Sequence, residues 1–62
     1  MREATAFEYG KARSRPHVEI RYFFGKRYTT AHVLYMGKTI AMKDDYLKRG
    51  KVVSTAYSVC AD

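Results

Sequence analysis

The chain predicts a mainly β domain: a small antiparallel meander of four or five strands with one short helical turn. Three observations carry that expectation. From Val18 onward, apolar and polar residues alternate with a period of two, the mark of a half-buried strand. Gly25 and Gly37 interrupt the alternation at hairpin spacing. Val, Thr and Tyr then crowd the tail KVVSTAYSVC, as strands favour.

The first strand has Val18, Ile20 and Tyr22 on one side and Glu19, Arg21 and Phe23 on the other. If Gly25-Lys26 forms a two-residue loop, Tyr22 opposes Thr29, Ile20 opposes Ala31 and Val18 opposes Val33. The other face then pairs Phe23 with Tyr28, Arg21 with Thr30 and Glu19 with His32. The same geometry at Gly37-Lys38 sets Tyr35 against Ile40 and Val33 against Met42. One side becomes apolar, lined by Val18, Ile20, Tyr22, Ala31, Val33, Tyr35, Ile40 and Met42, and a slip of one residue would scramble it.

The segment KDDYLKRGK predicts a helical turn around 44–49. Asp44 or Asp45 would cap it, Lys48 and Arg49 suit its last turn, and Gly50 can supply a left-handed stop. The tail 51–60 reads as a strand, although Val52, Val53, Ala56, Val59 and Cys60 also fit helical spacing. Residues 1–16 are poorly defined. Thr5, Phe7 and Tyr9 alternate like a strand, while Ala4 and Phe7 with Glu3 and Glu8 suit a short helix ended by Gly10. Pro16 holds Arg15 extended, so KARSRP reads as a loop or edge segment. Each of the four glycines is followed by lysine. Glycine marks the reversals and lysine keeps the tips soluble.

Five short strands with a helical turn before the last resemble the general plan of SH3-like and OB-like small barrels. The alternative is an α+β arrangement, with a terminal helix packed on a three-stranded sheet. Residues 1–62 form one small basic domain, and a chain of this length buries only about 60% of its unfolded surface. Cys60 is the sole cysteine, so no intrachain disulfide supports the core. With His17 and His32 it makes no zinc-ligand pattern, and neither a metal nor a cofactor is expected. A lone thiol, no apolar run of membrane-spanning length and no signal-peptide pattern lead to the expectation of a cytoplasmic protein.

Catalysis lacks candidates. Gly37-Lys38-Thr39 ends like a phosphate-binding loop, but that motif needs a glycine where His32 stands. A Glu19–His32 pair on a sheet surface is a cross-strand contact before it is a general base. Cys60 has no basic sequence neighbour to lower its pKa. No enzyme is expected.

The net charge of +6 points instead to polyanionic partners. The meander places Lys26, Arg27, Lys43, Lys48, Arg49 and Lys51 at one end of the sheet. Lys11, Arg13, Arg15 and Lys38 fall toward the other. Arg21 stands beside the Phe23–Tyr28 pair, a possible stacking surface for bases. A non-enzymatic nucleic-acid-binding module, for DNA or RNA, is the leading expectation. The alternative is a small inhibitor or adaptor, of the kind phage and mobile-element genes encode, that docks on a larger protein or nucleoprotein complex through an acidic protein surface. A homodimer through an exposed edge is compatible with both.

Overall fold

Sequence alternation and hairpin glycines build one twisted antiparallel sheet, seen in a computed structural model that describes residues 1–60. Five strands, β1 (Arg2–Ala4), β2 (Glu19–Phe24), β3 (Tyr28–Tyr35), β4 (Lys38–Lys48) and β5 (Lys51–Val59), stand in the order β1-β5-β4-β3-β2. Strands β2 to β5 form an up-and-down meander, and β1 adds beyond β5. The fold is therefore mainly β, with a single helix, α1 (Ala6–Arg13), linking β1 to the meander.

The helix occupies the ambiguous N-terminal segment. Thr5 caps it: its Oγ1 accepts from the Glu8 N–H at 3.2 Å, and the Glu8 carboxylate accepts from the Thr5 N–H at 3.0 Å. That reciprocal pair satisfies two of the free amides at the helix start. Arg2 of β1 also binds Glu8, so the strand and the helix cap share one carboxylate. The helix runs through Gly10 instead of ending there, and stops at Ser14, two residues before Pro16. A helix ending at Gly10 would leave Thr5 capping a single turn, too short to hold itself.

Helix α1 lies over β4 and β5 and buries Tyr9 against Val33, Ala41 and Val59. Val33 is 0% exposed and, among the described residues, is the only large side chain fully enclosed. Ala4, Ala12, Val18, Ile20, Ile40 and Tyr57 pack around this cluster, and the Tyr9 and Tyr57 rings sit 5.4 Å apart. Burial raises the Tyr9 phenol above its usual pKa. Among the described residues, no helix is long and apolar enough to cross a membrane.

The strand registers differ from those expected, in an instructive way. Ile20 pairs with Val33, Tyr22 with Ala31 and Phe24 with Thr29, a slip of two residues. The connection is longer than two residues, with the Gly25 N–H donating to the Tyr28 carbonyl at 2.9 Å. A two-residue slip leaves every side chain on its own face, so the apolar pattern cannot distinguish the two registers; loop geometry decides. Glu19 consequently meets Leu34, not His32.

At the next hairpin the loop residues are Met36 and Gly37, with φ of 53° and 78°. Two positive φ values are what a type I′ turn demands, so Tyr35 pairs with Lys38. A bulge then sets Val33 against Ala41, and the extra residue Ile40 still packs on the core. Met42 moves to the opposite face, across from His32.

The helical turn expected at 44–49 is replaced by strand. Residues 44–46 pair on both sides, with β3 and β5, residues 47–48 continue the pairing with β5, and Arg49-Gly50, at φ 53° and 77°, forms a second tight hairpin turn. A five-residue helix would forfeit both ladders. Neither aspartate caps a helix: Asp45 accepts the Thr55 hydroxyl and lies 3.8 Å from Lys43.

Two outcomes follow. A Cβ at Gly10 meets nothing within 4 Å, so Gly10→Ala is expected to stabilise the fold by about 0.5–1 kcal/mol in urea titrations. The Arg2 and Thr5 hydrogen bonds lower the Glu8 pKa from 4.5 to about 2. A depressed carboxylate contributes stability above its unfolded pKa and loses it as pH falls through the folded value. Thermal scans between pH 4.5 and 2 should thus show a decline that Glu8→Gln lacks.

Candidate nucleic-acid interface

The β2–β3 loop and the β4–β5 turn meet at one end of the sheet, where the Leu47 N–H donates to the Arg27 carbonyl at 2.7 Å. Together they bring Lys26, Arg27, Lys48, Arg49 and Lys51 onto one tip. Lys48 and Lys51 are direct cross-strand partners on either side of the turn. Ion pairs among the described residues join Arg2 to Glu8, Arg21 to Glu19 and Lys43 to Asp45. None involves the five tip cations. Like charges gathered this closely repel, and a bound polyanion relieves that repulsion.

Aromatic rings flank the tip on both faces. On the face away from α1, Tyr28 pairs with Tyr46 with centroids 6.5 Å apart, and Phe23 meets the His32 ring edge-on at 5.4 Å. On the helix-side face, Tyr22 and Phe24 lie near-parallel, 11° apart at 6.1 Å. Tyr22, Phe23 and Tyr28 are each more than half exposed, and Phe24 is 80% exposed. Bases stack on such rings whatever their sequence.

Seven of the nine sequence-predicted residues thus come together: Lys26, Arg27, Lys48, Arg49, Lys51, Phe23 and Tyr28. Two do not join them in a free state. Lys43 sits mid-sheet on the helix side, across from Ala31 and Tyr57, because β4 continues as strand where a turn was expected. Arg21 shares a face with Phe23, but its guanidinium is held 2.8 Å from Glu19. Sequence reasoning missed Tyr46, whose ring joins the surface only because 44–48 is strand. It also missed the Tyr22–Phe24 stack, since Tyr22 was counted as core; the run Tyr22-Phe23-Phe24 at a strand end was the available signal.

At the opposite end, Arg2, Lys11, Arg15 and Lys38 surround a concavity of about 450 Å³ floored by Ile40 and Val59. Arg15 lies over the Tyr35 ring at 3.9 Å. Arg13 is elsewhere, beside Tyr9, Lys43 and Asp45. Comparison with protein-family models, curated proteins and solved structures finds no match.

Arg49 occupies a left-handed conformation that asparagine or glycine adopts more readily. Arg49→Asn should therefore raise stability, by up to about 1 kcal/mol in chemical denaturation, while removing one cation from the tip.

Proposed function

We propose that the protein is a non-enzymatic nucleic-acid-binding module that grips single-stranded DNA or RNA at the β2–β3/β4–β5 end of its sheet. One observation carries the reading. Five cations that form no ion pair among the described residues share a tip with exposed rings on both faces of the sheet. Lys26, Arg27, Lys48, Arg49 and Lys51 contact phosphates, and Phe23, Tyr28 and Tyr46 receive bases.

The mechanism is counterion release with stacking. Five phosphate contacts give a slope of log K against log salt of about −3.5 on single strands and about −4.5 on duplex. Fluorescence anisotropy with a labelled oligonucleotide tests it. Arg27→Gln, Arg49→Gln and Lys51→Gln should each flatten the slope by about 0.7–0.9, while Phe23→Ala or Tyr28→Ala should cost about 1–3 kcal/mol with the slope unchanged. Undetectable binding at low salt would overturn the reading. An inhibitor or adaptor that uses the same tip against an acidic protein surface would then take its place.

A further inference from the structure

We infer that the exposed edge of β2 is a self-association surface, on which a second copy of this chain adds its own β2 antiparallel to form a continuous ten-stranded sheet. The inference goes beyond nucleic-acid binding and does not depend on it.

The surface area is the first argument. A folded monomer of 7.2 kDa is expected to expose about 4,100 Å², whereas this chain exposes 4886 Å². The surplus, roughly 760 Å², is close to the ~800 Å² that each partner contributes to a standard stable interface. Its origin is a mismatch of lengths. The eight-residue α1 spans about 12 Å, while the eleven-residue β4 spans about 36 Å. Among the described residues no element other than α1 packs on a face of the sheet.

Among the described residues three stretches of edge are open, the outer side of β1, residues 51–56 of β5, and β2, and their comparison selects β2: the three-residue β1 is too short to template a long pairing. The open edge of β5, Lys51–Ala56, is interrupted by a register shift opposite Tyr46 and Leu47 and begins with a lysine, two devices that discourage pairing. Strand β2 has neither lysine nor proline, its pairing with β3 is regular from end to end, and its Arg21 is neutralised by Glu19. Tyr22 and Phe24 project to one face and Phe23 to the other, so an added strand packs against rings above and below.

Charge and symmetry make the occupant a second copy in antiparallel register. A two-fold axis through Tyr22 sets Ile20 of each copy against Phe24 of the other, and Arg21 against Phe23, a cation–π pairing. Lys26 then lies opposite Val18 of the other copy. The two basic tips separate by about 26 Å along the strands, well beyond the ~8 Å Debye length at physiological salt. A parallel arrangement would press them together.

Sedimentation equilibrium of the full chain, without nucleic acid, is expected to give twice the 7.2 kDa chain mass. Tyr22→Lys and Phe24→Lys change side chains that are already exposed, and should weaken the dimer about tenfold or more. Phe7→Ser, an equally exposed site on α1, should not. Should the lysine variants fail to fold, cross-linking keeps the idea open to refutation. In a Cys60→Ser background, Tyr22→Cys should oxidise to a covalent dimer and Phe7→Cys should not. A monomer mass at all concentrations, a dimer indifferent to Phe24→Lys, or equal cross-linking at both positions would each overturn the inference.

Discussion

One aromatic ring organises this fold. Tyr9 reaches from a two-turn helix onto the stripe formed by Val33, Ala41 and Val59, the buried cluster at the centre of that side of the sheet. The cap made by Thr5 and Glu8 sets where the helix begins, and Arg2 fastens that cap to β1. Each component is weak alone. An exposed ion pair contributes little on its own, and an eight-residue helix does not form without tertiary packing. Their joint effect is to aim Tyr9 at the one place where three strands present small or branched residues side by side.

A core confined to one end leaves the remainder of the sheet as surface. The long hairpins extend past the helix, and the molecule measures 35 × 19 × 17 Å. Rings that in a thicker domain would be buried are exposed there, next to loops whose cations form no ion pair among the described residues. The proposed nucleic-acid contact and the proposed self-association draw on adjacent parts of this region, the first on the tip and the second on the β2 edge. Both draw on Phe23, as a base-stacking ring in the first and as the partner of Arg21 from the other copy in the second, while antiparallel pairing leaves both cationic tips open.

The hairpins show how local strain and charge share the same positions. Met36 and Arg49 take up left-handed conformations ahead of Gly37 and Gly50, where glycine alone relieves only the second turn position. At Arg49 the tight turn carries a cation at the tip of the β4–β5 hairpin. Gly10 is the exception among the Gly-Lys steps, because it lies within the helix and turns nothing.

Much of this was legible in the linear chain. Alternation over 18–35 assigned the faces of β2 and β3 correctly, the glycines at 25 and 37 located two hairpins, and β propensity identified β5. The clustering of tip cations followed from the meander alone. Register was not legible, because a shift of two residues preserves every face and only the length of the Gly25–Tyr28 connection chooses between alternatives. Nor was β4 legible beyond Lys43: Asp44, Asp45 and Gly50 satisfy the rules for a short helix, and only neighbouring strands on both sides make extended backbone the better use of those amides. The chain by itself determined which residues prefer water and where it could bend. Tertiary structure decided which hydrogen-bond ladders those bends would close, because a ladder's free energy belongs to the pair of strands and to neither one alone.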